Sequence, residues 1–271
     1  MASQSALINV MQKACIYASK GLLRDFGEVE NLQVSRKGPG DFVSRADVNA
    51  EKVIRRELSK ARPDWGFHLE EGGIVEGADP DAPVWVVDPL DGTTNFLHGI
   101  PQFAISIAVM ETDRQGRKTI TAGTIFDPVK NEFFFAERGK GAFLNERRLR
   151  VSGRRAMMDS LFGTGIPFLG RGDDDHHAAY LKELSNVMAA SSGVRRMGAA
   201  SLDLAWVAAG RFDGFWERGL SLWDIAAGVI LVREAGGFVS DFASRDRALE
   251  SGDIVAANPA IHGDLIRLLR D

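Results

Sequence analysis

Val84-Trp85-Val86-Val87-Asp88-Pro89-Leu90-Asp91-Gly92-Thr93-Thr94-Asn95-Phe96 is the stretch on which the reading of this chain turns. Val84 to Val87 are β-branched or aromatic and uncharged, the composition of a buried strand. Asp88 then stands at the strand's exit, and Pro89, with no N–H to give, is expected to stop the ladder there. Two carboxylates three residues apart on a proline-fixed turn can converge on one hard cation, with the Leu90 carbonyl directed the same way. Gly92, Thr93 and Thr94 add free backbone N–H groups and two hydroxyls, which suit a phosphate at a helix start. The same string also describes an ordinary strand–turn–helix joint in which Asp91 or Thr93 caps the helix.

Composition narrows the classes. A chain of 271 residues has room for one large domain or two closely packed lobes. Hydrophobic residues make up 45% and charged residues 26%, as in a globular protein with a substantial core. A net charge of −4 argues against a general nucleic-acid or membrane-surface binder. The single cysteine, Cys15, allows neither an intrachain disulfide nor a thiolate metal cluster. No basic segment followed by an apolar core opens the chain, and no apolar run reaches membrane-spanning length, so a cytoplasmic enzyme or binding protein is expected.

Leu7, Val10, Met11, Ala14 and Ala18 recur at helical spacing and predict an opening amphipathic helix. Residues 36–45 form a turn-rich approach to a second helix carrying Ala50, Val53, Ile54, Leu58 and Ala61 on one face, ended by Pro63. Asp47 falls near its start, where Ser44-x-x-Asp47 reads as a capping box. Glu70-Glu71-Gly72-Gly73 describes a solvated loop, or a metal ligand on a segment feeding toward the Asp88 strand. Strand candidates at 103–110, 119–126 and 132–136, with short joints, predict an antiparallel meander and an α+β first lobe over residues 1–150. Residues 151–271 alternate: strands at 161–164, 212–216, 238–240 and 254–257, and helices at 176–190, through Ala208, from Trp223 and to Leu269. That alternation predicts a layered α/β second lobe, with the cleft between the lobes as the site. Asp173-Asp174-Asp175 reads as a solvated loop with a capping aspartate, beside a metal-binding alternative.

Asp224 occupies the first turn of the Trp223 helix, where the helix dipole favours a carboxylate even without function. Collected with Asp47, Glu70, Asp88 and Asp91, it leaves only carboxylates for metal work. Without a His-x-x-x-His spacing or a Cys set, zinc and iron are disfavoured, and Mg²⁺ shared between protein acids and a substrate phosphate is favoured.

Asp88-Pro-Leu-Asp-Gly-Thr-Thr-Asn-Phe96 is similar to the first signature of the inositol monophosphatase family, within the lithium-sensitive, magnesium-dependent, fructose-1,6-bisphosphatase-like superfamily. Leu222-Trp-Asp-Ile-Ala-Ala-Gly228 and Arg233-Glu-Ala-Gly-Gly237 resemble its second. Lys37-Gly-Pro-Gly-Asp41, Glu70-Glu71, Gly139-x-Gly-Ala-Phe-Leu-Asn145 and Arg195-Arg-x-Gly198 follow in the family's order, and the C-terminal segment resembles bacterial members most. The resemblance implies a layered α-β-α-β-α sugar-phosphatase fold and a homodimer. It implies two Mg²⁺ ions, one held by Asp88, Glu70 and the Leu90 carbonyl, the other by Asp88, Asp91 and Asp224, with a third, weaker ion near Glu70. Water activation through Thr93 and Asp47 follows, with Gly92, Thr93 and Thr94 on the phosphate. Arg195, Gly198, Ala199, Ala200 and Glu217 would line the alcohol side, together with Leu90, Asp91 and Asp224. The implied reaction is hydrolysis of a small phosphorylated polyol or sugar, myo-inositol 1-phosphate first, with lithium inhibition. Fructose-1,6-bisphosphatase, histidinol-phosphatase and 3′-phosphoadenosine-phosphate phosphatase chemistries share the acids, and a non-catalytic binding or regulatory protein is the alternative of another class. Two departures stand out: Gly72, where many members have serine, implies a looser loop, and Arg218 beside Glu217 suggests a second anionic group on the substrate.

Overall fold

The computed structural model describes residues 4–28, 34–38, 41–113, 115–167 and 174–270, with the backbone path alone for 34–38 and 41–44. The chain runs α1 (Ala6–Phe26), β1 (Val34–Gly38), β2 (Asp41–Ser44), α2 (Arg45–Ala61), β3 (Gly66–Leu69), β4 (Gly73–Val75), β5 (Val84–Asp91) and α3 (Thr93–Leu97). A meander follows: β6 (Ala104–Thr112), β7 (Lys118–Asp127), β8 (Glu132–Glu137), β9 (Gly141–Leu144) and β10 (Arg147–Arg148). The chain then alternates through β11 (Leu161–Thr164), α4 (Asp174–Ala190), β12 (Gly193–Arg195), α5 (Ala200–Ala208), β13 (Gly214–Glu217) and α6 (Leu222–Glu234). It closes with β14 (Phe238–Ser240), α7 (Ala248–Ser251), β15 (Ile254–Ala257) and α8 (His262–Arg270). No helix among the described residues is long and apolar enough to cross a membrane.

β10-β9-β8-β7-β6-β5-β3-β4 make one sheet, and β12-β11-β13-β15-β14 a second. β5 is antiparallel to β6 and parallel to β3. Side chains alternating along β5 explain its uninterrupted apolar sequence, because both of its faces are covered. Trp85 and Val87 pack with Ile8, Met11, Leu22, Ile54 and Leu58 of α1 and α2. Val86 points the other way, into a core shared with Leu204 of α5, Ile225 and Val229 of α6, and Phe215 and Ala256 of the second sheet. The far face of that sheet carries Trp216 and Val255 against Val187 of α4 and Leu265 and Leu269 of α8. The layers are therefore helix, sheet, helix, sheet, helix, the architecture that the family resemblance implies.

Close approach of α6 to its neighbours, α5 in the same layer and the first sheet beside it, depends on glycine at two positions. A Cβ on Gly228 of α6 would lie 2.4 Å from Leu204 Cδ1, and one on Gly123 of β7 would lie 2.7 Å from Ile230 Cγ2. Helix α6, from the second half of the chain, can thus lie against the sheet built by the first half, and its N-terminus reaches the exit of β5.

One local expectation changes and two become more specific. Pro89 does not stop the ladder: β5 continues to Asp91 through a bulge, Asp88 pairing with Ser106 and Asp91 with Ala104. Residues 36–45 hold a β1–β2 hairpin that runs straight into α2, with Pro39 and Gly40 outside the described residues. Glu70, Glu71 and Gly72 are the turn of a β3–β4 hairpin, paired through Leu69 and Gly73.

Candidate active site

The bulge arranges the acids. Pro89 has no N–H, and the Leu90 N–H, freed from the ladder, donates to Asp88 Oδ1 at 2.9 Å. Asp88 is thereby fixed and almost fully buried. Leu90 anchors its side chain in the core under α1 and α2, leaving its carbonyl at the turn to accept from Thr93 Oγ1 at 3.0 Å. Gly92 takes the left-handed conformation, φ 92°, as N-cap of α3. A Cβ there would meet the Gln102 carbonyl at 2.8 Å, so the turn needs glycine for space as well as for φ.

Four contacts draw the rest of the chain to this turn. Glu70 follows β3, and its N–H donates to the Val87 carbonyl at 3.2 Å, which sets its side chain beside Asp88. Ser106, opposite Asp88 in the ladder, donates to the Trp223 carbonyl at 3.3 Å and so holds the start of α6 here. The backbone N–H and hydroxyl of Ser201, in the first turn of α5, both donate to Asp91 Oδ2, at 2.7 and 2.5 Å. Thr93 Oγ1 lies 3.1 Å from Asp47 Oδ1, bridging to the first turn of α2.

One carboxylate oxygen from each of Asp88, Asp91 and Asp224 lies within 4.8 Å of the others. Among the described residues this is the group of acids, histidines or cysteines close enough to hold a metal ion together. Burial lifts the Asp88 carboxyl well above the usual carboxylate range, and the nearby Glu70, Asp91 and Asp224 charges lift it further. Such crowding is what a multivalent cation relieves, and an all-oxygen donor set suits Mg²⁺. Asp174 and Asp175 form no such group; they sit in the first turn of α4, and Asp173 lies outside the described residues.

The remaining predicted residues fall into two sets. Ala199 is the N-cap of α5 and Ala200 its first residue, and both are buried. A Cβ on Gly92 would lie 3.3 Å from the Ala199 Cβ, so this corner lies against the phosphate turn. Gly198, at φ 82°, precedes it. Glu217 ends β13, and its carboxylate fills the space over Gly165, where a Cβ would lie 1.8 Å from its Cδ. Thr94 is exposed on α3. Arg195 is exposed at the end of β12, its guanidinium donating to the Val194 carbonyl at 3.0 Å.

Both departures resolve differently from their first reading. The 70–72 turn is clamped, because Glu51 Oε2 accepts from the Glu71 N–H at 2.9 Å. A Cβ on Gly72 would lie 2.9 Å from Glu51 Oε1, so glycine here makes room for the clamp. Arg218 is no receptor for a second anion: its Nε and Nη2 both donate to Glu183 Oε1, at 2.9 and 2.6 Å, and its guanidinium lies 3.5 Å from the Phe242 ring centre.

Two residues without an assigned role belong to the site's frame. Asn95 Nδ2 donates to the Gln102 and Met197 carbonyls, each at 2.8 Å, tying α3 to the approach to α5. Its place inside the first signature was the available signal. Asp203 is buried on α5, its carboxyl raised well above the usual range by burial and then by Glu217 and Asp91. Nothing in Leu-Asp-Leu distinguishes it from a helix residue facing water.

Residues 3–271 match the model of the inositol monophosphatase family. The chain belongs to that family. It is 58% identical over 268 residues to an inositol-1-monophosphatase of Mesorhizobium japonicum, covering 99% of this chain and 97% of that one. It is 46% identical to a protein named Nus factor SuhB from Pseudomonas aeruginosa, over 93% of this chain and 91% of that one. The crystal structure of the extragenic suppressor protein suhB from Bartonella henselae superposes with a TM-score of 0.93 at 54% identity, covering 98% and 99% of the two chains. As a member of the inositol monophosphatase family, the protein is a phosphoric monoester hydrolase. Each family signature has a structural reason in this fold. The first is the β5 bulge with α3, and the second brings Asp224 in at the N-terminus of α6. At the far end of the second, Glu234 accepts from the N–H groups of Gly139 and Gly141, at 2.9 and 2.8 Å. The Gly139-x-Gly141 turn is thereby tied to the same helix.

Proposed function

We infer that the protein is a Mg²⁺-dependent phosphomonoesterase whose substrate is myo-inositol 1-phosphate. The observation that carries this reading is the convergence of the Asp88, Asp91 and Asp224 oxygens within 4.8 Å. Asp88, Glu70 and the Leu90 carbonyl would hold one ion and Asp88, Asp91 and Asp224 a second, with a third, weaker position near Glu70. Bound there, Mg²⁺ supplies charge stabilisation for an in-line displacement and lowers the pKa of water. Asp47 and Thr93, 3.1 Å apart, form the relay that takes the proton of the attacking water. Gly92 and Thr93 present N–H groups to the phosphate, with Thr94 at its edge. Glu217 accepts vicinal hydroxyls of the leaving alcohol, with Gly198, Ala199, Ala200 and Arg195 along the wall. In this reading residues 1–150 form the lobe with most ligands, residues 151–271 supply Asp224 and the alcohol side, and the enzyme is a cytoplasmic homodimer.

Phosphate release with Mg²⁺ from myo-inositol 1-phosphate, fructose 1,6-bisphosphate, histidinol phosphate and 3′-phosphoadenosine 5′-phosphate tests the substrate. Preference for the inositol ester supports the reading, and selective turnover of the nucleotide bisphosphate would sink it. Lithium is expected to inhibit at the position of Asp91 and Asp224. The relatives named Nus factor favour a second reading, a binding or regulatory role on the same fold. Retention of every expected metal acid supports hydrolysis instead, and absence of Mg²⁺-dependent activity on any small monoester would decide for the alternative.

A further inference from the structure

Each of the three converging acids has one oxygen held by the protein. Asp88 Oδ1 accepts from the Leu90 N–H at 2.9 Å, and Asp224 Oδ2 accepts from the Ser221 N–H at 2.7 Å. Asp91 is held differently. Its Oδ2 accepts twice from one residue, from the Ser201 N–H at 2.7 Å and from the Ser201 hydroxyl at 2.5 Å. Of these four donors only the Ser201 hydroxyl belongs to a side chain.

The double contact has a structural cause. Ser201 lies in the first turn of α5, whose N-cap is Ala199, a residue with no side-chain oxygen to offer the helix. The Asp91 carboxylate, at the end of β5, meets a backbone donor of that uncapped turn, where the helix dipole favours its charge. Ser201 is fully buried, so bulk water does not compete for either bond.

A carboxylate oxygen has about two lone-pair sites. One donor leaves the second site for a cation, whereas two donors fill both. Oδ2 of Asp91 is therefore occupied by α5, and Asp91 meets a metal through Oδ1. Asp88 Oδ1, with the Leu90 N–H as its donor, keeps the capacity to bridge two ions.

That difference bears on which cation the site accepts. Mg²⁺ takes about six ligands in near-octahedral geometry and is served by single carboxylate oxygens. Ca²⁺ takes roughly six to eight, at longer distances, and recruits carboxylates through both oxygens. A carboxylate pinned through one of its oxygens cannot turn both toward the same ion.

We propose that the Ser201 hydroxyl determines the metal selectivity of this site: it holds Asp91 to one-oxygen coordination, which suits Mg²⁺ and withholds the second oxygen that Ca²⁺ would recruit. This rests on the reading of the acids as a metal-dependent hydrolase centre and adds the residue that sets its choice of cation. Ser201 is a positioning residue, since it acts through Asp91.

The test is calorimetric titration of Mg²⁺ and of Ca²⁺ into the metal-free protein without substrate, for the wild type, Ser201→Ala and Ser201→Thr. Alanine is smaller than serine and a better helix former, so the fold should survive the exchange. Loss of one hydrogen bond to a charged group predicts that the ratio of the two Kd values moves about tenfold toward Ca²⁺ in Ser201→Ala. Ser201→Thr keeps the hydroxyl and should keep the wild-type ratio. An unchanged ratio in Ser201→Ala, an equal weakening of both cations, or the same gain of Ca²⁺ in Ser201→Thr overturns the proposal. Because no substrate is present, the two readings fail separately. A Ca²⁺ gain in a protein that releases no phosphate keeps the selectivity role and removes the hydrolase reading; an unchanged ratio in an active enzyme does the reverse.

Discussion

Glu57 on α2 and Asp88 on β5 are both acids withdrawn from water, and their surroundings push their protons in opposite directions. Glu57 receives Lys60 and Arg56, each at 3.0 Å, and Lys13 at 3.4 Å, and its carboxyl is drawn down to about 2, with the Lys60 hydrogen bond the largest cause. Asp127 shows the same design, buried and paired with Lys130 at 2.7 Å. Asp88 is raised instead, first by burial and then by charges of its own sign on Glu70, Asp91 and Asp224. Burial alone therefore says little about what an acid is for. A buried acid among cations closes a structural circuit, whereas a buried acid among acids is a site waiting for a cation from outside.

Exchanging one oxygen in each place is the strongest way to break this contrast. Asp88→Asn keeps an acceptor for the Leu90 N–H and hardly changes volume, so the fold should survive. Removing a bridging ligand from metal-assisted chemistry worth several kcal/mol should lower kcat about 10³-fold or more. Steady-state phosphate release at saturating Mg²⁺ measures it; activity within tenfold of wild type would dissolve the distinction between the two acids.

Much of this was legible before any coordinates. The apolar run at Val84–Val87, the Asp-x-x-Asp spacing and the first-turn Asp224 led to the acids that converge, and strands 161–164, 238–240 and 254–257 fall where alternation put them. The ladder beyond Pro89 was not legible, because a bulge is a relation between two strands and Pro89 reports on one. The clamp of Glu51 on the 70–72 turn and the capture of Arg218 by Glu183 join residues 20 and 35 positions apart, through contacts that leave no local pattern. Asp203 was invisible for a related reason. Its exposure is decided by which face of α5 meets the second sheet, and an all-round apolar helix does not announce that face.

Glu217 sharpens the comparison from the alcohol side, since it is an acid whose place is carved by a missing side chain. Gly165→Ala would set a methyl 1.8 Å from the Glu217 Cδ and 2.0 Å from its Oε1, so the carboxylate must move. A loss of one or two hydrogen bonds to substrate hydroxyls predicts a KM for myo-inositol 1-phosphate about tenfold higher. Turnover of an aryl phosphate that lacks hydroxyls should change less than twofold. An equal loss on both substrates would mean that Glu217 serves the chemistry and not the alcohol.

Metal and pH should act on the acidic cluster with a definite sign. In EDTA, the raised Asp88 carboxyl keeps its proton in the folded state over a range in which the unfolded chain has lost it. Stability therefore falls as pH rises above the ordinary carboxylate range. Mg²⁺ at about 100 times its Kd should add back about 2.7 kcal/mol, several degrees in Tm for a chain of this size. Asp88→Asn should flatten the pH slope in EDTA and shrink the Mg²⁺ shift. A wild-type Tm in EDTA that climbs steadily from pH 5 to pH 8 would contradict the picture of crowded like charges.

Glu57→Gln is the mirror experiment and the one with the smallest effect. Its carboxyl is lowered, so its contribution is present above the unfolded value, near 4.5, and is lost as pH falls toward about 2. The three cations are more than half exposed, which leaves water and salt free to screen them. The variant should therefore lose only a degree or two of Tm at pH 7, less in 1 M salt, and nothing in Mg²⁺-dependent kcat. Its Tm should converge with the wild type as pH drops through 4 to 2, the opposite limb from the one on which Asp88 acts. An acid already answered by its own chain has nothing to offer a metal, so a Mg²⁺-dependent Tm shift that differed between Glu57→Gln and wild type would mean that the two clusters are not independent.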